Sequence, residues 1–568
     1  MLIAILLILL LTGTTLAQTP KNSASGGDER LHRADAAFKA GYAAVQGGKL
    51  EEARKDFAEA VKAAPKVPEA RVALGVVLVQ LDRPEEAIVQ FNEALKLKPD
   101  DGGTEHNLVL AHEARGRKLA AAAKLEEAEG EIREALKVQA KLAVDPETVV
   151  RTAQLDDELG SMLAQENRWS EAEVAFREAV RVSPEPATGP HMHLGVVLLE
   201  EKLTEAALSE LELAVSGAAG NAMAQFELGR GLAAAGRDEE AIEHLQAAVK
   251  ADPGGVILGM QMELGMAEQR LGRQQESIPY FQKAIEKEPR NAVALTNLGL
   301  ALTQTGKASE AMPYFLRALA ITPNAPVLLE DIGVAELQQS HFDEAIVRFE
   351  AALQVDKENP QLHYDLGLAY KLKDRMDDAV RELKEAARLD GTLPDPPYTL
   401  GILYMQLGKL DDAVTQLRAA LAVRPGNGDG WAILGSTLKQ AGQPVEAEEA
   451  LRKAIELLPN QPGPHITLAA VLSEEGKRDE ATAERKIAAG LSKTAVSRQK
   501  AMFSTNAGNQ LLLRGDVEGA VSRYMEAIAA DPGFGEAHAQ LAVAYDRQGR
   551  AEDAKAERDK AEGLSKAN

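Results

Sequence analysis

Past residue 33 the apolar positions recur as two short helical stripes in every 34 residues, separated by polar turns. This doubled 3.6-residue pattern predicts one helix-turn-helix hairpin per period. Glycine marks the eighth place of the period at Gly41, Gly75, Gly160, Gly195, Gly229, Gly265, Gly299, Gly333, Gly367, Gly401, Gly435 and Gly508, with Val109, Ala469 and Ala542 in the remaining periods. Alanine follows at the twentieth place, as in Ala53, Ala87, Ala345 and Ala520, with Ser277 as a substitute and Ala128 displaced. It recurs at the twenty-seventh, from Ala60 through Ala561. Phe57, Phe91, Phe176, Phe281, Phe315, Phe349 and Tyr524 fill the twenty-fourth place, and prolines such as Pro65, Pro99, Pro289 and Pro425 close the period. Small residues at the eighth and twentieth places let two antiparallel helices approach closely, and the large residue fills the space beneath. Proline ends the second helix because its ring and missing N–H cannot continue one. A lone hairpin cannot bury its apolar face, so the hairpins are expected to stack as a solenoid.

The spacing resembles the tetratricopeptide repeat, whose signature sets Leu-Gly, Tyr, Ala, Phe and Pro at these offsets. The match is close in NLGLALTQTGKASEAMPYFLRALAITP (297–323) and LGILYMQLGKLDDAVTQLRAALAVRP (400–425). The resemblance implies an all-α, right-handed α-solenoid of about fifteen helix-turn-helix repeats. They start at Ala34, Pro68, Gly102, Ala153, Thr188, Ala222, Leu258, Ala292, Pro326, Pro360, Pro394, Gly428, Pro462, Ala501 and Gly535. The third is long, and KLAAAAK (118–124) is expected to lengthen its helices, since alanine is the best helix former. Arg485 and Arg558 stand where repeats thirteen and fifteen should carry an apolar residue, and both read as polar caps. AERKIAAGLSK (483–493) and AERDKAEGLSK (556–566) are near copies, which suggests a capped array extended by a second. The expected organisation is therefore 34–152 for repeats one to three, 153–495 for repeats four to thirteen, and 496–568 for a hinge with repeats fourteen and fifteen after it. The repeats leave no stretch for a separate catalytic domain.

The N-terminal residues have a different pattern. Leu2 to Leu11 is an unbroken apolar run, followed by small residues at Thr15 and Ala17. The run is short for a membrane span and fits a signal peptide, residues 1–17, cut after Ala17. No Lys or Arg precedes it, so retention as an anchor is the alternative. Residues 18–33 read as a polar, flexible linker. This segment predicts export, to a periplasm or cell envelope or into the medium.

Composition narrows the chemistry. Cysteine is absent, which removes disulfides, thiolate nucleophiles and Cys-ligated metals. The net charge of −23, with no Lys/Arg-rich block, disfavours nucleic acid. Phosphate-loop, nucleophile-elbow, zincin and EF-hand motifs are lacking. His191, His363, His465 and His538 share the fourth place with Trp431, and His112 takes the place of Tyr370, Tyr404 and Tyr545, so these read as packing residues. His191 and His193 are two apart, which turns the rings to different sides of a helix and away from shared metal binding. Acidic pairs such as Glu51-Glu52 and Asp411-Asp412 open second helices, where they suit the helix dipole and can supply caps. No catalytic residue, cofactor site or metal site is expected.

In the resembling family, ligands lie on the concave face built from the first helices. The corresponding places carry Met192, Val196, Phe226, Met262, Met266, Leu300, Val334, Leu337, Tyr364, Leu368, Tyr398, Ile402 and Met405, an apolar, methionine-rich lining. Glu227, Glu263, Glu330, Asp331 and Asp365 flank it. The carboxylate-gripping Lys and Asn set known in the family is absent from any three consecutive repeats. The expected function is a non-enzymatic protein-interaction scaffold taking apolar or amphipathic protein segments, because methionine side chains repack around varied shapes. Packing between neighbouring repeats is the competing use of the same positions. Self-association is left open, and membrane association arises only if residues 1–17 are retained. A polysaccharide- or polymer-handling envelope protein is the alternative, weakened by the scarcity of stacking aromatics at 4%. A subunit accompanying a glycosyltransferase or other enzyme is the third reading.

Overall fold

The computed structural model describes residues 25–184 and 187–567. Among the described residues are twenty-nine α-helices and no strand, arranged as successive antiparallel pairs. A pair such as Pro68–Gln80 with Pro84–Leu97 joins a 13-residue first helix to a 14-residue second one. The all-α solenoid of helix-turn-helix repeats is thus the observed architecture. Two compact bodies divide the chain, one reaching Thr305 and the other starting at Gly306.

Local chemistry sets the helix ends. First helices start with Pro at their first position, as at Pro68, Pro326 and Pro360, or with an Asn or Asp cap. The Asn221 side chain accepts from the N–H groups of Met223 and Ala224. Asp145 and Thr148 form a complete capping box. Most second helices have no such cap. Their acidic first-turn residues instead pair with a cation three residues earlier, as in Arg168–Glu171, Arg375–Asp378 and Arg550–Asp553. Capping by these carboxylates, expected from sequence, is therefore replaced by pairing beside the helix N-terminus, because a cation sits in the cap position itself.

The turn inside every hairpin passes through one residue of positive φ. Glycine takes that place at Gly48, Gly236 and Gly408, among others, while Asp82, Ala123, Asn167, Lys202, Ser340 and Asp374 adopt it with φ between 55° and 63°. A side chain there is strained by its own Cβ, which is why glycine dominates.

In the N-terminal body, Phe57, Phe91, Ile132, Phe176 and Leu211 are buried against the glycine of their own hairpin. A Cβ added at Gly75 would stand 2.5 Å from the Phe91 ring. The third repeat departs from its expected register. Gly116, not Val109, faces the twenty-fourth-place residue, since a Cβ there would lie 2.9 Å from Ile132 Cδ1. Ala123 likewise supplies the left-handed turn. Ala128 is then in register rather than displaced, and His112 falls on the fourth place. The extra residues lengthen two first helices at their N-terminal ends, Gly102–Ala121 and Pro146–Gln165, each of 20 residues. Ala120 and Ala121 end the first of these, and Ala122 and Ala123 form the turn. Ion pairs link the third and fourth hairpins: Glu113 accepts Arg117 and Arg151, and Glu129 accepts Arg133 and Arg168.

Residues 25–33, expected within a flexible linker, belong to the helix Ser25–Gln46, where Ala34 is buried and Arg33 pairs with Glu59. Good helix formers from Glu29 onward extend a helix already anchored by packing. The expected signal segment and the rest of the linker, residues 1–24, lie outside the described residues.

In the C-terminal body the same packing recurs at Phe349, Leu383, Leu417, Leu451 and Tyr524. Residues 496–500, expected as a hinge, lie inside a continuous 36-residue helix, Arg478–Leu513. Its early part buries Ala481 and Ala488 in the thirteenth hairpin, and its late part buries Ala501, Gly508 and Leu512 in the fourteenth. The chain from Leu491 to Lys500 contains no proline and no turn glycine, so nothing stops the helix where other repeats break.

Candidate functional site

Five histidines lock hairpins internally. At the fourth place of the first helix, Nδ1 of His112, His191, His363, His465 and His538 meets a glutamate nineteen residues on, in the second helix. The distances run from 2.5 Å at His465 to 2.7 Å at His112. Arg71–Gln90 and Gln225–His244 use the same two places. His193 faces Asp157 at 2.8 Å and the Phe176 ring at 5.5 Å, away from any shared site with His191. Among the described residues no cluster of metal-ligating side chains occurs, and no helix is long and apolar enough to cross a membrane.

The apolar lining read from sequence is found on the first helices, and it divides between the two bodies. In the N-terminal body Met192, Val196, Met262, Met266 and Leu300 are half-buried. Phe226 is different, for it is 8% exposed and belongs to the core with Leu228, Leu232 and Met260. Its ring fills the space beside Gly259, where an added Cβ would lie 3.6 Å away, and Arg230 lies 5.9 Å from the ring centroid. Glu227 is paired with Arg230 at 2.8 Å, and burial still pushes its carboxyl up. The Met262 sulfur takes a 3.8 Å contact from Asn291, the cap of the following first helix.

In the C-terminal body Val334, Leu337, Tyr364, Leu368, Tyr398, Ile402 and Met405 are half-buried. Val334, Leu337, Tyr364 and Met405 pack at the edge of one core cluster, and Tyr398 at the edge of the next. Thr437 donates to the Met405 sulfur at 3.5 Å, so this methionine joins two repeats. Val334, Leu337, Tyr364, Tyr398 and Met405 thus pack in part against the core and stay in part accessible.

Glu330, Asp331 and Asp365 stand beside the Val334–Tyr364 stretch. Burial, with the nearby Glu330 charge, pushes Asp331 up to about 7. Burial does the same to Asp365, also to about 7, against a hydrogen bond from Gln361 that lowers it. Sequence reading did not find a hollow of about 460 Å³ near the C-terminus, among Arg498, Phe534, Glu536, Ala539, Glu562 and Leu564. Arg498 lies 5.1 Å from the Phe534 ring centroid and pairs with Asp531 at 3.1 Å. The only sequence signal for it was the missing break before residue 501.

A tandem array of helical hairpins, locked internally and presenting a row of first helices, defines an α-solenoid of the interaction-scaffold type. Models described as tetratricopeptide repeat match residues 38–102, 214–256, 262–326, 360–392, 398–462 and 511–561, and one described as TPR repeat matches 333–374. The chain belongs to the tetratricopeptide repeat family. No curated protein matches it. Among solved structures, it is similar to MamA, with 26% identity over 29% of this chain and 96% of that one, at a TM-score of 0.28. YrrB, described as a TPR protein with an unusual peptide-binding site, shares 26% identity over 32% of this chain and 95% of its own, with a TM-score of 0.29. A tetratricopeptide repeat protein from Parabacteroides merdae ATCC 43184 shares 16% over 46% and 98%, with a TM-score of 0.34.

Proposed function

We propose that this protein is an exported scaffold of the cell envelope that holds apolar or amphipathic protein segments on its first-helix face. The carrying observation is the row of half-buried apolar side chains on successive first helices, Val334, Leu337, Tyr364, Leu368, Tyr398 and Ile402, each with area left uncovered by its own repeat. An amphipathic segment laid across them would bury that area. Export is supported by the Leu2–Leu11 run and the small residues at Thr15 and Ala17.

The test is crosslinking capture from the native envelope, wild type beside Leu337→Ser/Leu368→Ser. These positions are chosen because, unlike Phe226, they are not part of the sealed core. A defined partner lost in a variant that keeps its helical circular dichroism supports the reading. Identical partner lists refute it. The intact mass of the cell-derived protein tests export separately: a mass that lacks Met1 to Ala17 is expected, and retention of those residues contradicts cleavage.

A further inference from the structure

Carboxylates that are largely buried in this protein usually meet a cation. Glu113 has Arg151 and Arg117, Glu129 has Arg133 and Arg168, Glu227 has Arg230, and Asp238 has Arg270 at 2.7 Å. Glu330, Asp331 and Asp365 are exceptions, for none of them makes an ion pair with a described residue. Asp365 is 8% exposed, and its one hydrogen bond comes from the neutral amide of Gln361 at 3.1 Å. Asp331 is half-buried with no hydrogen bond to its side chain, and the charge that acts on it and on Asp365 is the negative one of Glu330. Withdrawing carboxylates from water without a counter-charge is unfavourable, and like charges beside one another add to the penalty.

The placement is regular. Glu330 and Asp331 occupy the fifth and sixth places of the first helix Pro326–Gln338, and Asp365 the sixth place of the next first helix, Pro360–Leu372. Those two helices touch directly. Val334 and Leu337 lie further along the first, and Tyr364 and Leu368 lie along the second, all partly accessible. The face therefore offers an apolar surface with an uncompensated negative centre. In the N-terminal body the sixth-place Glu227 has its own arginine, Arg230.

We propose that repeats nine and ten bind a lysine or arginine side chain carried within an apolar segment of a partner protein, the cation resting among Glu330, Asp331 and Asp365. This rests on the first-helix face being the binding surface, and it names the chemistry that face selects. A cation there supplies the missing counter-charge, while the apolar flanks exclude water and strengthen the pairing. Burial and the Glu330 charge raise Asp331 and Asp365 to about 7, and a bound cation would lower both.

The experiment is selection of a displayed random-peptide library on the full chain, wild type beside Glu330→Gln/Asp331→Asn/Asp365→Asn. Wild type is expected to enrich peptides with one Lys or Arg among apolar residues, and the triple amide variant to lose that basic preference. A synthetic peptide of the enriched sequence should bind wild type about tenfold or more weakly when its basic residue becomes norleucine. Equal binding of the norleucine peptide, or unchanged Lys and Arg frequencies on the variant, overturns the proposal. Enriched apolar peptides that depend on Leu337 and Leu368 but not on the three acids would leave the binding face standing and remove only its cation selectivity. A library with nothing enriched on wild type overturns both. The amide variant should melt at or above the wild-type temperature, since it loses only repulsion, and should it fail to fold, the norleucine comparison on wild type decides.

Discussion

Replacing Gly435 by alanine should destabilise the twelfth hairpin even though alanine is the better helix former. The residue lies within the helix Gly428–Gln440, where glycine gives up about 1 kcal/mol of helix propensity relative to alanine. Against this gain stands the packing. A Cβ at 435 would sit 2.6 Å from Leu451 Cγ, 2.9 Å from its Cδ2 and 3.3 Å from the Ala447 carbonyl oxygen. Ordinary carbon contacts lie at roughly 3.5–4.0 Å. Leu451 is 0% exposed, and Cγ is its branch point, so the side chain cannot swing its end aside without leaving its own well. Overpacking of this kind costs about 1–3 kcal/mol. The expected net is a loss of up to about 2 kcal/mol, confined to the twelfth hairpin and its neighbours because stacked repeats share interfaces only locally. Hydrogen exchange of peptides from residues 428–457 reads this directly, about 1.4 kcal/mol for each tenfold in protection. Gly490→Ala is the control: the residue lies in the helix Arg478–Leu513 with nothing within 4 Å of an added Cβ, so the same change should slow exchange there. Unchanged or slower exchange around residue 435 in Gly435→Ala would refute the reasoning. A further check is Leu451→Ala, which alone should cost about 2–5 kcal/mol. The double variant should cost less than the two singles added, because the new methyl enters the space that the leucine leaves.

The same geometry sets three other outcomes. Ala123→Gly should stabilise the third hairpin by about 1 kcal/mol, since φ is 59° there, and a lower melting temperature would count against the strain assigned to this turn. Asp331 and Asp365 have folded-state pKa values raised to about 7, so folding favours their protonated forms; that contribution is full below the free carboxyl range near 4 and is lost as pH rises through 7. The melting advantage of Asp331→Asn/Asp365→Asn over wild type should therefore grow from pH 5 to pH 8, and a constant difference would show that the carboxyls are not perturbed. His465→Ala, at a site 5% exposed, removes the Glu484 contact and should cost about 1–3 kcal/mol by urea unfolding, whereas Glu484→Gln, which can still accept from the ring, should cost less.

Most of the fold was legible because the repeat states its packing rule many times. Gly75 with Phe91 and Gly401 with Leu417 are the same contact, and a period repeated this often outweighs the irregularities of any one copy. The third repeat was misplaced for the opposite reason. A single copy with extra residues offers two glycine or valine positions one pair of turns apart, and only the partner Ile132 decides between Gly116 and Val109. A second periodic signal, the turn glycines such as Gly48, Gly236 and Gly442, could have fixed that register, since Ala123 occupies the same place. The continuous helix through residues 496–500 was hidden because a helix needs no marker to continue; only the absence of proline and glycine recorded it. The lining residues were legible as places on a first helix, but not as exposed or buried. Phe226 and Met192 hold the same place in neighbouring repeats, yet Phe226 is buried in the core and Met192 is half-buried.

The two repeats without a glycine at the eighth place explain the arginines that looked out of place. Ala469 precedes Arg485 in the thirteenth hairpin, and Ala542 precedes Arg558 in the fifteenth, each by the sixteen residues that separate Gly435 from Leu451. Arg485 is exposed and reaches Ser473, and Arg558 is exposed and pairs with Asp546, so each side chain runs to the twelfth place of its own first helix instead of filling the space at the eighth as a leucine or phenylalanine would. With no large group directed at it, the eighth place accepts a methyl, and Ala469 and Ala542 are buried at 1% and 0% exposure without crowding. The lost glycine and the gained arginine are thus one coupled change. After the thirteenth hairpin the chain continues the same helix, with Val496 and Phe503 uncovered at 65% and 77% exposure. The array there is joined through a continuous helix backbone, because no proline or turn glycine stops the helix between Leu491 and Lys500.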